Sequence, residues 1–142
     1  KLIAIEAHKE AGMPHAEVNA LKTAYLFDNP NSVLKTKNSS HDIHNFLIEN
    51  HNGFFNDCEV YVTLEPCNHI GKTPSCANLL KELKPKRVIV SVKDPNKIAS
   101  GGLETLLDEN QAMSIRTIGD KYELMKNYIQ GENHLYKTLL EK

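Results

Sequence analysis

Two short runs, VYVTL at residues 60–64 and RVIVSV at 87–92, are β-branched and largely apolar, and a helical stretch lies between them. Strands without a polar face belong inside a sheet covered on both sides. A helix joining them makes the pair parallel, because consecutive antiparallel strands are joined by a tight turn and parallel ones by a crossover. The rest of the chain repeats the alternation. Residues 1–6 (KLIAIE) read as a strand, and AEVNALKTAYLF after Pro14 reads as a helix with Ala16, Ala20, Leu21, Ala24 and Tyr25 on its apolar face. This helix stops before Asn29-Pro30. Residues 29–40 (NPNSVLKTKNSS) turn polar and predict a surface excursion, after which Ser40 caps a short helix with Ile43, Phe46 and Leu47 facing inward. Helices are predicted over 74–84, 101–110 and 121–140, and a further strand over 114–118. Together these predict an α/β chain, a three-layer αβα sandwich with a mostly parallel, mixed sheet and helices on both faces. Ligands of such sheets bind outside the carboxyl ends of the strands.

With 142 residues, 40% of them hydrophobic, the chain suits one domain with a real core. Its 17 Lys and Arg are scattered and nearly balanced by acidic groups, net charge −1, which leaves no electrostatic footprint for nucleic acid. The longest apolar runs fall far short of a bilayer's thickness, and no charged-then-apolar export signal opens the sequence. A cytoplasmic protein with neither a nucleic-acid nor a membrane partner is expected. In that setting an odd set of cysteines, Cys58, Cys67 and Cys76, points to metal binding or burial rather than to a disulfide framework.

The chemistry concentrates in two places. Pro14-His15-Ala16-Glu17 puts a histidine and a glutamate two residues apart at a helix start, and Glu65-Pro66-Cys67 follows directly on the strand at 60–64, with Cys76 nine residues further on. One nitrogen and two sulfurs are zinc ligands, and three protein ligands with an open fourth position distinguish a catalytic zinc from a structural one. Glu17 is then placed to carry protons, taking one from the attacking water and giving one to a departing group. His15 and Cys76 each fall in the first turn of a predicted helix, where the partial positive charge favours thiolate over thiol. A lone histidine at a helix start is more often a cap, and a lone cysteine more often a small buried side chain; it is the combination that is specific. Cys58, at or before the strand, is read as plainly buried, and His8, His41, His44, His51 and His134 as surface or packing residues.

The pattern resembles that of the zinc deaminases, a histidine with a nearby glutamate followed by a proline-cysteine pair. Within them the blocks PHAEVNAL at 14–21, VTLEPCNHIGKTPSC at 62–76, and DPN at 94–96 followed by Gly101-Gly102 resemble the pyrimidine deaminases of riboflavin biosynthesis. Cytidine, deoxycytidylate and tRNA adenosine deaminases carry P-C-x-x-C, whereas eight residues separate Cys67 from Cys76 here. The resemblance implies a cytidine deaminase-like fold, zinc on His15, Cys67 and Cys76, Glu17 as the proton carrier, and hydrolytic deamination of diaminohydroxyphosphoribosylaminopyrimidine. The loop between the cysteines then offers His69, Lys72 and Thr73 to the substrate's phosphate, and Asp94 and Asn96 reach its ribose or ring. It also implies a preceding helix and strand with a P-N-P-x-V-G segment, which these residues lack, and places reduction in another domain or protein. Residues 29–56 are longer than the usual link and are expected to cover an edge or meet a partner subunit; a homo-oligomer is compatible with this. The competing readings are a deaminase of guanine, deoxycytidylate or tRNA adenosine, and a structural zinc module closed by a fourth ligand, His69 or Cys58.

Overall fold

A computed structural model describes residues 1–92, 94, 96–108, 112–115 and 137–141. The strands are β1 (Leu2–Ala7), β2 (Glu59–Leu64), β3 (Arg87–Val92), β4 (Ala112–Ile115) and β5 (Lys137–Glu141). The helices are α1 (Ala16–Asp28), α2 (Ser40–Asn50), α3 (Cys76–Leu83) and α4 (Gly102–Asp108), with a 3₁₀ turn at Val33–Thr36. One sheet is ordered β1-β5-β2-β3-β4. β2, β3 and β4 are parallel, and β5 runs against both β2 and β1. Four strands thus point one way and β5 alone opposes them, the mostly parallel, mixed sheet expected.

Alternation along the strands splits the buried side chains into two layers. Val60, Val62, Val88, Val90 and Leu140 join the core with Leu21 and Ala24 of α1, Ile43 and Leu47 of α2, Leu79, Leu80 and Leu83 of α3, and Leu103 and Leu106 of α4. Tyr61 and Ile89 face the other way and are buried with Leu2 and Ile5 against them. The four described helices pack on the first of these faces, and side chains are buried on the second as well.

Two expectations are corrected. The helix predicted over 121–140 does not reach Leu140, since Lys137–Glu141 form strand β5; residues 121–136 lie outside the described residues. KTLLE has no decisive local preference, and pairing on two sides, Glu6 and Val62 both opposite Thr138, overrides helix propensity. Nor is 29–40 merely a surface excursion, since Leu34 is buried in the main core, where Ile43 and Leu47 lie as expected and Phe55 joins them. α2 packs against both α1 and α3, and Tyr25 meets Phe46 and Phe54 edge to face with ring centroids 5.7 and 5.3 Å apart. The cap of α2 is Ser39, whose hydroxyl accepts from the Asp42 N–H at 3.1 Å, one residue before the expected Ser40. Leu47→Ala should accordingly cost about 2–5 kcal/mol of unfolding free energy, the range for a buried leucine. Urea titration of the zinc-loaded protein measures it, and a loss below about 0.5 kcal/mol would return α2 to the surface.

Candidate metal centre

The centre is assembled where β2 ends. Past Leu64 the chain enters Glu65-Pro66-Cys67, and the carboxyl end of a parallel strand faces the amino ends of the helices that follow. His15 is the residue before α1, in extended conformation (φ −65°, ψ 165°), and its side chain makes no capping hydrogen bond. Its ring turns toward the cysteines instead. Cys76 opens α3, and its N–H donates to Cys67 Sγ at 3.3 Å. Ser75 caps α3 by accepting from the Asn78 N–H, and the same hydroxyl donates to the Cys67 carbonyl at 2.9 Å. The Ala77 N–H also donates to that carbonyl, at 3.0 Å, so the backbone of Cys67 is fastened to the start of α3.

His15 Nδ1 lies 3.7 Å from Cys67 Sγ and 3.5 Å from Cys76 Sγ, and the three donor atoms lie within 4.8 Å of one another. Tetrahedral zinc, at about 2.0–2.1 Å from nitrogen and about 2.3 Å from sulfur, sets neighbouring N and S ligands about 3.6 Å apart. The donor set and its spacing therefore fit zinc. Among the described residues neither Cys58 nor His69 joins this cluster, so no fourth protein ligand closes it. Thr73, with its hydroxyl 3.4 Å from His15 Nε2, engages the ring nitrogen that faces away from the sulfurs. A contact of that kind sets the tautomer and orientation of a ligating histidine.

The electrostatics follow from burial and proximity. The Cys67 thiol is pulled down to about 4 by its hydrogen bond with Cys76, helped by His15, while the same bond and burial push Cys76 up. One sulfur of the pair is a thiolate even without a metal, as a ligand must be. The hydrogen bond with Cys67 raises His15. Glu17, in the first turn of α1 and only 8% exposed, is pushed up to about 7 by loss of hydration. A carboxyl that exchanges its proton near neutrality suits a group that must accept one and return it.

A cavity of about 220 Å³ opens on this cluster. Its walls include Glu17, His15 and Cys67 together with His69 and Asp94 from the expected substrate set. Lys72 is exposed on the intervening loop. Asn96 is exposed too, and its Oδ1 accepts from the Ile98 N–H at 3.0 Å while its own N–H donates to Asp94 Oδ1 at 2.9 Å. Cys58 is buried, as expected, and so is His44, which burial holds down to about 4 and therefore neutral. His134 lies outside the described residues.

Further wall residues, among them His8, Glu65 and Thr138, carried no functional assignment in the sequence. His8, read as surface or packing, follows β1 into the cavity, its ring 5.0 Å from that of His15 and its Nε2 without a hydrogen-bond partner among the described residues. Thr138 enters from β5. Glu65, almost wholly buried, accepts from the Asp94 N–H at 2.9 Å and the Leu103 N–H at 3.0 Å, tying the loop after β3 and the start of α4 to the end of β2. The signal for Glu65 was a charge at the end of an apolar strand, where a carboxylate persists only with donors. Gly102 completes the junction: a Cβ there would sit 1.9 Å from the Pro66 carbonyl oxygen, so only glycine lets α4 approach this close to Cys67.

Residues 2–92 match the family described as the cytidine and deoxycytidylate deaminase zinc-binding region. Among curated relatives, riboflavin biosynthesis protein RibD of Bacillus amyloliquefaciens is 34% identical over 109 residues, covering 77% of this chain and 22% of that protein. The diaminohydroxyphosphoribosylamino-pyrimidine deaminase of Buchnera aphidicola subsp. Schizaphis graminum is 36% identical over 101 residues, 71% of this chain and 50% of that protein. Among solved structures, RibD of Acinetobacter baumannii superimposes with a TM-score of 0.58 at 30% identity, covering 92% of this chain and 29% of that one. The chain thus spans about a fifth to a half of the length of these curated relatives.

Proposed function

Because the chain belongs to the cytidine and deoxycytidylate deaminase family, we propose that it is a zinc-dependent hydrolase that deaminates diaminohydroxyphosphoribosylaminopyrimidine, exchanging a ring amine for a carbonyl and releasing ammonia. The observation that carries this reading is a three-donor cluster, His15, Cys67 and Cys76, in one cavity with a buried glutamate, combined with an eight-residue loop between the cysteines. When bound there, zinc supplies the Lewis acidity that makes water acidic enough to attack near neutral pH. Glu17 takes the proton that the attacking water gives up. As the new C–O bond forms, Glu17 passes that proton to the ring nitrogen. It then takes the water's second proton from the resulting hydroxyl and gives it to the amine, and the C–N bond breaks as the carbonyl forms and the nitrogen leaves as ammonia. Thr73 holds the His15 ring, and the Cys76 thiol and N–H favour the anion of Cys67.

The choice of substrate rests on the loop. His69 and Lys72 give it cationic and hydrogen-bonding capacity for a phosphate, while the Thr73 hydroxyl, expected there too, is turned to the His15 ring, and Asp94 and Asn96 serve the ribose or ring. No helix among the described residues is long and apolar enough to cross a membrane. Ammonia release by the zinc-loaded protein should be measured on the phosphoribosylaminopyrimidine, cytidine, deoxycytidylate, guanine and a tRNA adenosine. Turnover confined to the first is expected. Turnover only on a base lacking ribose and phosphate would defeat the assignment.

A further inference from the structure

Thr138 is only 1% exposed, yet its Oγ1 has no hydrogen-bond partner among the described residues. It is the second residue of β5, opposite Val62 of β2 and Glu6 of β1, at the end of the sheet where β2 runs on toward Glu65 and Cys67. Strand alternation puts it on the same face as Leu140, which packs among Val60 and Val62 beneath α1. Everything about that position favours an apolar side chain, and valine has the same shape. A buried hydroxyl left unpaired is costly, so its presence calls for a partner that arrives later. The direction of the side chain identifies where: Thr138 lines the cavity that holds Glu17 and Cys67.

We propose that Thr138 is a specificity-determining residue whose hydroxyl hydrogen-bonds the heterocyclic base of the substrate. This inference rests on the deaminase reading and adds a contact to it. A hydroxyl suits the task because it both donates and accepts. Deamination turns an amine beside a bare ring nitrogen into a carbonyl beside an N–H, and a hydroxyl rotor can bond the ring edge before and after that change. Leaving it unpaired in the free protein also penalises ligands that present only carbon there, which sharpens discrimination.

Zinc-loaded wild type, Thr138→Val and Thr138→Ser should be compared for zinc content, melting temperature and steady-state ammonia release from the phosphoribosylaminopyrimidine. Thr138→Val is expected to raise KM about 5- to 10-fold, with kcat within about twofold and zinc unchanged, and to melt at or above the wild-type temperature because an orphaned polar atom has gone. Thr138→Ser should recover most of the KM. A valine variant with wild-type KM, or one that melts several degrees lower because the hydroxyl already served the protein interior, would overturn the role of Thr138 alone. A wild type that releases no ammonia would overturn the deaminase reading, and this contact with it.

Discussion

Glu17→Gln will keep its zinc and lose its turnover. The carboxylate is not one of the three donor atoms that converge, so replacing it by an amide of the same shape leaves the cluster of His15, Cys67 and Cys76 whole. What disappears is the ability to accept a proton and return it. General acid–base catalysis by one placed group contributes about 10²–10⁴-fold, and Glu17 is asked to act both on the attacking water and on the departing amine, so kcat should fall by about 10³-fold or more. The same variant carries a stability signature. Burial raises Glu17 from 4.5 to about 7, so the folded protein binds its proton more tightly than the unfolded chain does. That contribution is complete below about pH 4.5 and is lost as pH rises toward about 7. Glutamine has no proton to lose, and in the zinc-free protein Glu17→Gln should therefore lose less stability than wild type across that interval. Metal analysis, ammonia release and chemical denaturation at two pH values check all three parts. Zinc missing from the purified variant would make Glu17 a ligand and end its assignment as the proton carrier.

The residues that meet at the centre were legible for a physical reason. A histidine, a glutamate and two cysteines stand at the boundaries of periodic segments, and segment boundaries are where the ends of strands and helices come together. The β-branched run at 60–64 and the crossover after it put Cys67 and Cys76 at one end of the sheet before any coordinate was known. Thr138 and His8 were illegible because nothing local distinguishes them. The burial of Thr138 depends on β1 and β2, strands that lie far away in sequence, and the KTLLE segment reads as helix until those two ladders claim it. The core role of Leu34 was hidden in the same way, among polar neighbours. Glu65 shows the limit most sharply. Its two partners are backbone N–H groups of Asp94 and Leu103, and a side chain's bond to backbone leaves no mark on the identity of the partner.

Cys67→Ser should release the metal and weaken the whole domain, a larger effect than any cavity mutation in the core. Serine places oxygen where sulfur was, with a shorter bond to carbon and a hydroxyl that stays protonated at neutral pH, whereas zinc binds the anionic thiolate. The folded chain has prepared that anion: the Cys76 thiol and N–H both point at Cys67 Sγ, and the sulfur is already pulled down to about 4. Losing it removes a ligand and also leaves the Cys76 N–H facing a weaker acceptor in a buried place. The consequence spreads because Cys67 is fastened to α3 through its carbonyl, which accepts from Ser75 and Ala77, and α3 in turn is packed against α2 and α4. Binding energy at such a site is shared with folding, so stoichiometric zinc should be replaced by a trace, with melting lowered by many degrees. A chelator applied to wild type should lower its melting point in the same direction, and adding zinc back should restore wild type but not the variant. Full zinc and unchanged melting in Cys67→Ser would remove this sulfur from the coordination shell and leave two donors, too few to hold a catalytic metal.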